Sequence, residues 1–319
     1  MKTLVIGSTG YIGSRIAREF QSKGENVYGL ARSQQGEDAL SAAGITPFPG
    51  DLMAVEQWRE QLKDVGTVIF CASIPFEQEQ RVLGSLLGTF AKAGRTLIFI
   101  SGSGVVSTPA VGGEWHDYTA AEDDPYPFAW VLRNREVRLA TERLVLDAAR
   151  DGFRGIVIRP PLVWGHGGSI QVPQFFESAR KTGYVCYLGQ GLNLYSHVHV
   201  DDVATATYLA FEKGTAGSVY HLVAGEVNFR TIAEAVGQAT NCPVKSVAYA
   251  EAVELWGRTW VDIGLAVNSR LRAPKTRSEL GWRPEHVDLV ADIRQGSYKK
   301  AFEDAKGTKN LQGYAWSAH

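Results

Sequence analysis

The chain has 319 residues, of which 45% are hydrophobic and 21% charged, and its formal net charge at pH 7 is −1. This length suits one large α/β domain, alone or with a small appendage. The near-zero charge provides no electrostatic footprint for nucleic acid or an anionic membrane. The three cysteines form no Cys-x-x-Cys pair, so neither a disulfide framework nor a zinc site is indicated. Because the chain shows neither a signal peptide nor an apolar run long enough to cross a bilayer, we expect a cytoplasmic protein with no nucleic-acid or membrane partner.

A glycine-rich turn follows the first apolar run, Leu4-Val5-Ile6, and precedes a segment with helical spacing of apolar residues. In such a strand–turn–helix, backbone N–H groups and the positive helix end face an anion. Gly7 permits the tight turn, Gly10 allows the approach of a pyrophosphate, and Gly13 allows close helix–strand packing. The turn therefore predicts a dinucleotide site. Its expected cofactor contacts are Gly7, Thr9, Gly10, Tyr11, Ile12 and Gly13.

Apolar runs alternate with helical patterns through the first half of the chain. The predicted strands are Thr3–Ile6, Asn26–Leu30, Ile45–Phe48, Thr67–Cys71, Thr96–Ser101 and Gly155–Ile158. The predicted helices are Ile12–Ser22, Glu37–Ala43, Ala54–Leu62, Glu77–Ala93 and Ala129–Asp151. Strands that are apolar throughout and separated by helices predict a doubly wound α/β fold, with a parallel sheet covered on both faces.

Ligands of such sheets bind beyond the carboxyl ends of the strands. The residues at, or shortly after, the carboxyl ends of the predicted strands are therefore expected to contact the cofactor. They are Arg32, Asp51, Leu52, Cys71, Ala72, Ser101, Pro160, Leu162 and Val163.

The regular alternation weakens after Pro160. The elements predicted there are strands at His197–Val200 and Ser218–His221 and helices at Pro173–Thr182, Asp201–Lys213, Arg230–Thr240 and Ala250–Arg258. We expect a nucleotide-binding Rossmann domain over residues 1–165. A smaller substrate-binding lobe, partly interleaved with the first, is expected over residues 166–319.

Several motifs together resemble the short-chain dehydrogenase/reductase superfamily, and within it the extended, epimerase/dehydratase-like branch. They are the glycine turn, Asp51-Leu52, Ser101-Gly102-Ser103, Arg159-Pro160-Pro161-Leu162-Val163-Trp164-Gly165, His199-Val200-Asp201-Asp202-Val203-Ala204 and Leu280-Gly281-Trp282-Arg283-Pro284. The resemblance covers about residues 1–300. It implies the Rossmann fold and a nicotinamide cofactor, and it constrains the reaction much less.

The choice of cofactor is indicated by the end of the second strand. An NAD-binding protein usually places a carboxylate there for the ribose hydroxyls. This chain has Leu30-Ala31-Arg32-Ser33, which lacks the carboxylate and supplies a guanidinium. Because arginine can hold a 2′-phosphate bidentately, the sequence favours NADP(H) over NAD(H). The alternative is a solvated surface arginine.

The catalytic pair is where the chain departs from the superfamily. The usual Tyr-x-x-x-Lys places a phenol and an ammonium group on one helix face, but none of the twelve tyrosines here has a lysine four residues later. Glu142 resembles the glutamate that follows the lysine in this superfamily. Alignment on Glu142 places Asn134 at the tyrosine position and Arg138 at the lysine position. Arg138 is expected to bind the nicotinamide ribose, whereas Asn134 can polarise a carbonyl but cannot act as a general acid. Alternatively, both residues lie on a surface helix that also bears Arg133, Arg135 and Arg143.

Other residues must then supply the remaining chemistry. Ser103 resembles the substrate-binding Ser/Thr of the superfamily and is expected to hold the reacting oxygen. The candidate proton donors are His116, Tyr118 and Tyr126. The expected substrate contacts are Ser103, His116, Trp164 and Tyr195, of which Tyr195 replaces an arginine that clamps diphosphates in nucleotide-sugar enzymes of the branch. We expect no metal, because His197 and His199 lack a third ligand at short spacing.

These observations predict an NADP-dependent oxidoreductase that acts on a carbonyl or hydroxyl of a small, non-nucleotide substrate. Two alternatives remain open: an NADP(H)-binding sensor or scaffold without turnover, and non-redox epimerase, dehydratase or lyase chemistry in the same cleft. A homodimer is expected through the helices at Glu77–Ala93 and Ala129–Asp151, because these pair in the resembled branch. The first has an apolar stripe, formed by Leu83, Leu86, Leu87 and Phe90, that is wider than one sheet contact requires. Alternatively, this stripe is buried wholly within one chain.

Overall fold

A computed structural model describes residues 1–126, 133–150 and 152–305. The strands are β1 Lys2–Ile6, β2 Val27–Ala31, β3 Thr46–Pro49, β4 Val65–Phe70, β5 Thr96–Ile100, β6 Thr108–Pro109, β7 Arg154–Arg159, β8 Leu162–Trp164, β9 Val185–Leu188, β10 Leu194–His199, β11 Ser218–His221, β12 Gly225–Asn228, β13 Val244–Val247 and β14 Val267–Asn268. The helices are α1 Tyr11–Ser22, α2 Gln34–Ala42, α3 Val55–Trp58, α4 Phe76–Phe90, α5 Arg133–Asp147, α6 Val172–Thr182, α7 Val200–Lys213, α8 Phe229–Thr240, α9 Tyr249–Trp256, α10 Arg258–Trp260, α11 Pro274–Leu280, α12 Leu289–Gln295 and α13 Ser297–Ala305. No helix within these ranges is long and apolar enough to cross a membrane.

The large sheet has seven parallel strands in the order β11-β7-β5-β4-β1-β2-β3. The strand order reverses beside β1, which is where ligands bind in open α/β sheets. One face of the sheet packs on α1 and α7, with Ile16 and Val203 in its core. The other face packs on α4 and α5, with Leu86 and Val145 in its core. The doubly wound Rossmann fold predicted from the sequence is confirmed.

A second core lies beside this sheet and joins the shorter strands to the later helices. It contains Trp164 of β8, Phe175 of α6 and Phe229 of α8. Strand β10 pairs in parallel with β8 and antiparallel with β12. After β10 the chain returns to the large sheet, where β11 forms the edge strand and pairs with β7. Residues from both halves therefore meet near the carboxyl ends of β5 and β7.

Two of the predicted helices need correction. The helix expected at Ala54–Leu62 is a single α-helical turn, α3, between 3-10 turns at Leu52–Ala54 and Arg59–Asp64. Within α3, the Trp58 indole donates a hydrogen bond of 2.8 Å to the Asp51 carbonyl, which fastens this turn beside β3. The helix expected at Ala129–Asp151 is described as Arg133–Asp147, while residues 129–132 and 151 lie outside the described residues.

The apolar stripe of α4 does not form a free dimer surface. Leu83, Leu86 and Phe90 are fully buried and Leu87 is 8% exposed, all within the core between α4, α5 and the sheet. One chain already buries this stripe, so the stripe gives no support to the predicted dimer.

Candidate active site

The glycine turn between β1 and α1 is closely packed. Gly7 has a φ of +93°, and a Cβ atom there would lie 2.8 Å from the Cys71 carbonyl oxygen. A Cβ atom on Gly13 would lie 2.2 Å from the Gly7 carbonyl oxygen. Only glycine therefore lets α1 approach β1 and β4 so closely.

The first turn of α1 is open to an anion. Its N-cap, Gly10, provides no side-chain cap, and the first turn has no acidic residue. The first N–H groups of a helix have no intrahelical acceptor, and the helix dipole adds positive potential there. The neighbouring Ser8 hydroxyl is buried without a partner among the described residues. These groups fit the pyrophosphate of a dinucleotide, with Thr9, Tyr11 and Ile12 placed in the same turn.

The Tyr11 side chain has another role. Its hydroxyl lies 2.8 Å from the Gly165 carbonyl oxygen and 3.2 Å from that of Gly168, so it fastens the loop after β8 to α1. Only the backbone of Tyr11 remains for a cofactor phosphate. The sequence pattern could not show this use, because the two carbonyls lie more than 150 residues further along the chain.

The other predicted cofactor residues lie along the same edge of the sheet. Arg32 follows β2 and is exposed. Asp51 follows β3, and its carboxylate accepts a hydrogen bond of 2.9 Å from the Met53 N–H. Burial raises the pKa of the Cys71 thiol to about 12, and this thiol donates to the Ile6 carbonyl, so it is a neutral packing group. Four more of these residues are buried or half-buried: Leu52, Ala72, Pro160 and Leu162.

Val163 lies inside the core between the large sheet, α1 and α7, where it is 9% exposed. Ser101, at the end of β5, contacts α5 instead. Its hydroxyl donates a hydrogen bond of 2.5 Å to Glu142. Ser101 is therefore tied to the helix that bears Asn134 and Arg138.

A buried polar network extends from Glu142. The Arg159 guanidinium donates to both carboxylate oxygens of Glu142, with its Nε at 3.1 and 3.2 Å. Burial lowers the pKa of Arg159, but the charge of Glu142 outweighs burial and holds that pKa above its ordinary value. Arg159 also donates to the Tyr126 hydroxyl at 2.7 Å. His221 Nε2 lies 3.3 Å from Arg159 Nη1. Burial, and next Arg159, lower the pKa of His221 to about 3, so His221 adds no charge to the network at neutral pH.

Arg138 occupies a pocket between α5, α4 and the end of β5. Its Nη2 lies 3.4 Å from the Glu79 carboxylate and 3.3 Å from the Ile100 carbonyl oxygen. Its guanidinium carbon lies 4.8 Å from the ring centroid of Phe76 and 5.7 Å from that of Phe99. Burial raises the pKa of Glu79 to about 7, against the opposing effect of Arg138.

Asn134, one helical turn before Arg138, belongs to α5, but its side chain lies outside the described residues. The sequence prediction for this amide therefore stays a prediction.

Ser103 lies in the turn that extends β5. Its hydroxyl oxygen is buried 2.6 Å from that of Ser269, which comes from the distant segment after β14. Ser269 pairs with Tyr195 through a β-bridge. The Ser103 N–H donates to the Pro160 carbonyl at 3.1 Å, which joins the ends of β5 and β7. This hydroxyl pair is the place where the large sheet and the later part of the chain meet.

Arg135 lies between Asn134 and Arg138 on α5 and is buried, which the sequence did not indicate. It is 4% exposed and donates to the Ser107 hydroxyl and to the Ile263 carbonyl, the latter at 3.1 Å. Nothing in the local sequence distinguishes it from Arg143, eight residues later on the same helix, which is exposed.

The predicted substrate contacts differ in their surroundings. His116 is half-buried, and its Nδ1 accepts a hydrogen bond from the Tyr118 N–H. Tyr195 is 4% exposed and packs 5.7 Å from the Phe229 ring. The Trp164 indole is buried in the second core and donates to His197 Nδ1 at 3.1 Å, so it faces protein rather than a cleft.

The histidines have neighbours that their sequence spacing did not show. Ligand atoms of His166, His199 and Asp201 all lie within 4.8 Å of one another. His166 Nε2 lies 2.7 Å from the Asp201 carboxylate. Burial, and next the neighbouring His286, lower the pKa of His199 to about 4, so His199 is a neutral ring at neutral pH. The sequence prediction of no metal assumed that His199 lacks further ligands nearby. His166 and Asp201 show that this assumption is wrong.

Comparison with known proteins identifies the family. Residues 3–223 match the family model described as the NAD dependent epimerase/dehydratase family. The chain belongs to this family. An uncharacterized protein of Schizosaccharomyces pombe is 31% identical over 308 residues, covering 93% of this chain and all of that protein. The superfamily membership predicted from the sequence motifs is confirmed.

Two further comparisons concern proteins with named activities. The sterol-4-alpha-carboxylate 3-dehydrogenase (decarboxylating) of Dictyostelium discoideum is 28% identical, with 69% of this chain and 70% of that protein covered. The solved structure of a dTDP-glucose 4,6-dehydratase from Streptomyces venezuelae, with NAD bound, matches with a TM-score of 0.74 at 19% identity, covering 96% of this chain and 98% of the other. At this identity, the structural similarity shows the fold alone. The prediction that the chain is an enzyme of the family's oxidoreductase and epimerase type is confirmed for the class of enzyme.

Proposed function

We propose that this protein is an NADP-dependent oxidoreductase that reduces a carbonyl, or oxidises the corresponding hydroxyl, on a small, non-nucleotide substrate. The observation that best supports the proposal is the Ser103 hydroxyl, which is buried at the carboxyl end of the same parallel sheet as the glycine turn. A hydroxyl in this position can donate a hydrogen bond to a carbonyl oxygen. The sterol dehydrogenase named above also performs redox chemistry, as its name states.

The nicotinamide, when bound, supplies the hydride for such a reaction. The chain's own residues bind and orient the reactants. The glycine turn binds the pyrophosphate, and Arg138 binds the nicotinamide ribose. Ser103 holds the reacting oxygen, and the proton for that oxygen comes from Tyr126, His116 or water.

Arg32 supports NADP(H) as the cofactor. It is exposed directly after β2, where a 2′-phosphate would approach the sheet edge. No hydrogen bond or ion pair involves its guanidinium within residues 1–126, 133–150 and 152–305. Its donors are therefore available to a phosphate, and no carboxylate at this position repels one.

We further propose that residues 1–165 bind the cofactor, that most of residues 166–319 cover the substrate, and that the protein acts in the cytoplasm. A homodimer would form through the outer faces of α4 and α5, where Leu144 is 39% exposed and Gly84 and Gly88 have open surroundings. Light scattering at micromolar concentration tests the dimer: a monomer would reject it.

A cofactor-oxidation screen tests the proposed reaction. The protein is mixed with NADPH or NADH and panels of aldehydes, ketones and enones, and with NADP⁺ or NAD⁺ and alcohols, while nicotinamide absorbance is followed. We expect turnover with at least one carbonyl and faster turnover with NADPH than with NADH. If both cofactors bind but no compound changes the absorbance, the protein is a binding protein or a non-redox enzyme.

A further inference from the structure

A buried cation without a buried anion lies beside the proposed substrate position. Arg135 is 4% exposed, yet no carboxylate forms an ion pair with it within the described ranges. The adjacent undescribed segment cannot supply one, because residues 127–132 read Pro-Phe-Ala-Trp-Val-Leu. Asp151 follows the opposite end of α5 in sequence, whereas Arg135 stands in the first turn.

The two polar contacts of Arg135 are neutral. Its acceptors are the Ser107 hydroxyl and the Ile263 carbonyl, which occupy two of the five N–H donors of a guanidinium. Buried charges in proteins are normally paired, because removing a charge from water is costly. Burial lowers the pKa of Arg135, and the group that opposes this effect is the phenol of Tyr195 rather than a carboxylate. The charge of Arg135 is therefore left for a ligand to neutralise.

The position of Arg135 relates this charge to the reacting group. A Cβ atom on Gly104, the residue after Ser103, would lie 3.9 Å from Arg135 Nε. Tyr195 lies close enough to Arg135 to affect its pKa electrostatically. Tyr195 also forms a β-bridge with Ser269, whose hydroxyl is hydrogen-bonded to that of Ser103. The Arg135 guanidinium therefore lies beside the turn that begins with Ser103.

From this we infer that the substrate carries a carboxylate close to the reacting carbonyl, as in a 2-oxo or 3-oxo acid, and that Arg135 binds this carboxylate. The inference rests on the proposed function for the role of Ser103. Arginine suits the task because its planar donors match both oxygens of a carboxylate. Hydride addition to the carbonyl carbon with protonation of its oxygen then gives a 2-hydroxy or 3-hydroxy acid, and the carboxylate is unchanged.

Calorimetric binding to the NADP⁺-saturated protein tests the inference without requiring turnover. The probes are 2-hydroxyoctanoate and 3-hydroxyoctanoate, each compared with its methyl ester, which has the same carbon skeleton without the charge. The variants are Arg135→Gln, which removes the charge, and Arg135→Lys, which retains it without the planar donors. Arg150→Gln is the matched control, because Arg150 is an exposed arginine beyond the end of α5.

The wild type should bind at least one acid roughly tenfold or more tightly than its ester. This ratio should fall to about one in Arg135→Gln, recover in part in Arg135→Lys and stay unchanged in Arg150→Gln. A purely structural role for Arg135 would change the melting temperature or NADP⁺ affinity without changing the ratio. Equal binding of acid and ester by the wild type, binding of neither, or an unchanged ratio in Arg135→Gln would overturn the inference.

The carboxylate site and the proposed reaction can fail independently of each other. If acids bind through Arg135 but neither the oxooctanoates nor any compound of the cofactor-oxidation screen changes the nicotinamide absorbance, the oxidoreductase proposal fails and the carboxylate site stands. If neutral ketones are reduced as well as the oxo acids, the oxidoreductase proposal stands and the carboxylate site fails.

Discussion

Glu142 of α5 and Arg159 at the end of β7 form a buried ion pair in which the Arg159 Nε lies 3.1 and 3.2 Å from the two carboxylate oxygens. Glu142 is fully buried and Arg159 is 2% exposed. Glu142 also accepts a hydrogen bond from Ser101, so one carboxylate joins α5 to the ends of β5 and β7. The pair thereby sets the position of the helix that bears Asn134, Arg135 and Arg138.

Removing this carboxylate should destabilise the fold strongly. In Glu142→Gln the guanidinium of Arg159 stays buried without its anion, which costs about 3–5 kcal/mol in comparable cases. Urea denaturation measures the loss in the free energy of unfolding. Glu234→Gln is the control, because Glu234 pairs with Arg230 on the exposed surface of α8. Similar losses in the free energy of unfolding for both variants would show that burial does not strengthen the contribution of the Glu142 pair to stability.

The exposed arginine after β2 should determine cofactor preference. Arg32→Ala is expected to weaken NADP⁺ binding by about 1.5–3 kcal/mol, the scale of a hydrogen bond to a charged group, and to leave NAD⁺ binding unchanged. Titration calorimetry with both cofactors provides the measurement. Arg18→Ala, at an exposed arginine on α1, should change neither affinity. Equal wild-type affinities for NADP⁺ and NAD⁺ would contradict this assignment.

Glu79 should make stability fall as the pH rises. Burial raises its pKa to about 7 from an ordinary value of 4.5, so the folded protein binds this proton more tightly than the unfolded chain does. The stabilisation is complete below about pH 4.5 and is lost as the pH rises through 7. A shift of this size corresponds to about 3 kcal/mol.

Comparison with Glu79→Gln isolates this effect, because glutamine does not titrate. The free energy of unfolding of the wild type should fall relative to that of the variant between pH 4.5 and 8. Denaturation of both proteins at several pH values gives the difference. A difference that is independent of pH would show that Glu79 stays ionised beside Arg138 throughout this range.

Ser103 and Arg138 should affect different steps. Ser103→Ala should lower kcat with little change in NADP⁺ affinity, because its partner is the substrate. Arg138→Ala should weaken NADP⁺ binding by about 1.5–3 kcal/mol, because its partner is the ribose. Unchanged cofactor affinity in Arg138→Ala would show that the alignment of α5 on Glu142 is wrong. Asn134→Tyr with Arg138→Lys restores the usual pair of the superfamily, and we expect no gain in activity from it.

Much of the sheet could be predicted because its strands are apolar throughout, and the glycine turn could be predicted because only glycine fits there. The contacts around Ser103 could not. Ser269, its partner, lies 166 residues away in sequence, and no local pattern links the two. For the same reason, the sequence did not show that Arg135 is buried. Its hydrogen-bond acceptor Ile263 lies 128 residues further along the chain. The short strands β6, β8, β9 and β12–β14 were missed because two to four residues show no clear alternation.

Transfer of deuterium from labelled cofactor is the most direct test of the oxidoreductase proposal. The protein is incubated with (4R)- or (4S)-[4-²H]NADPH and a pooled panel of aldehydes, ketones and oxo acids, and the products are analysed by mass spectrometry. We predict that one of the two cofactors, and only one, gives an alcohol with deuterium on the former carbonyl carbon, and that Ser103→Ala forms much less of it. If the cofactor binds but neither labelled form transfers deuterium to any compound, the protein is not the oxidoreductase that we propose.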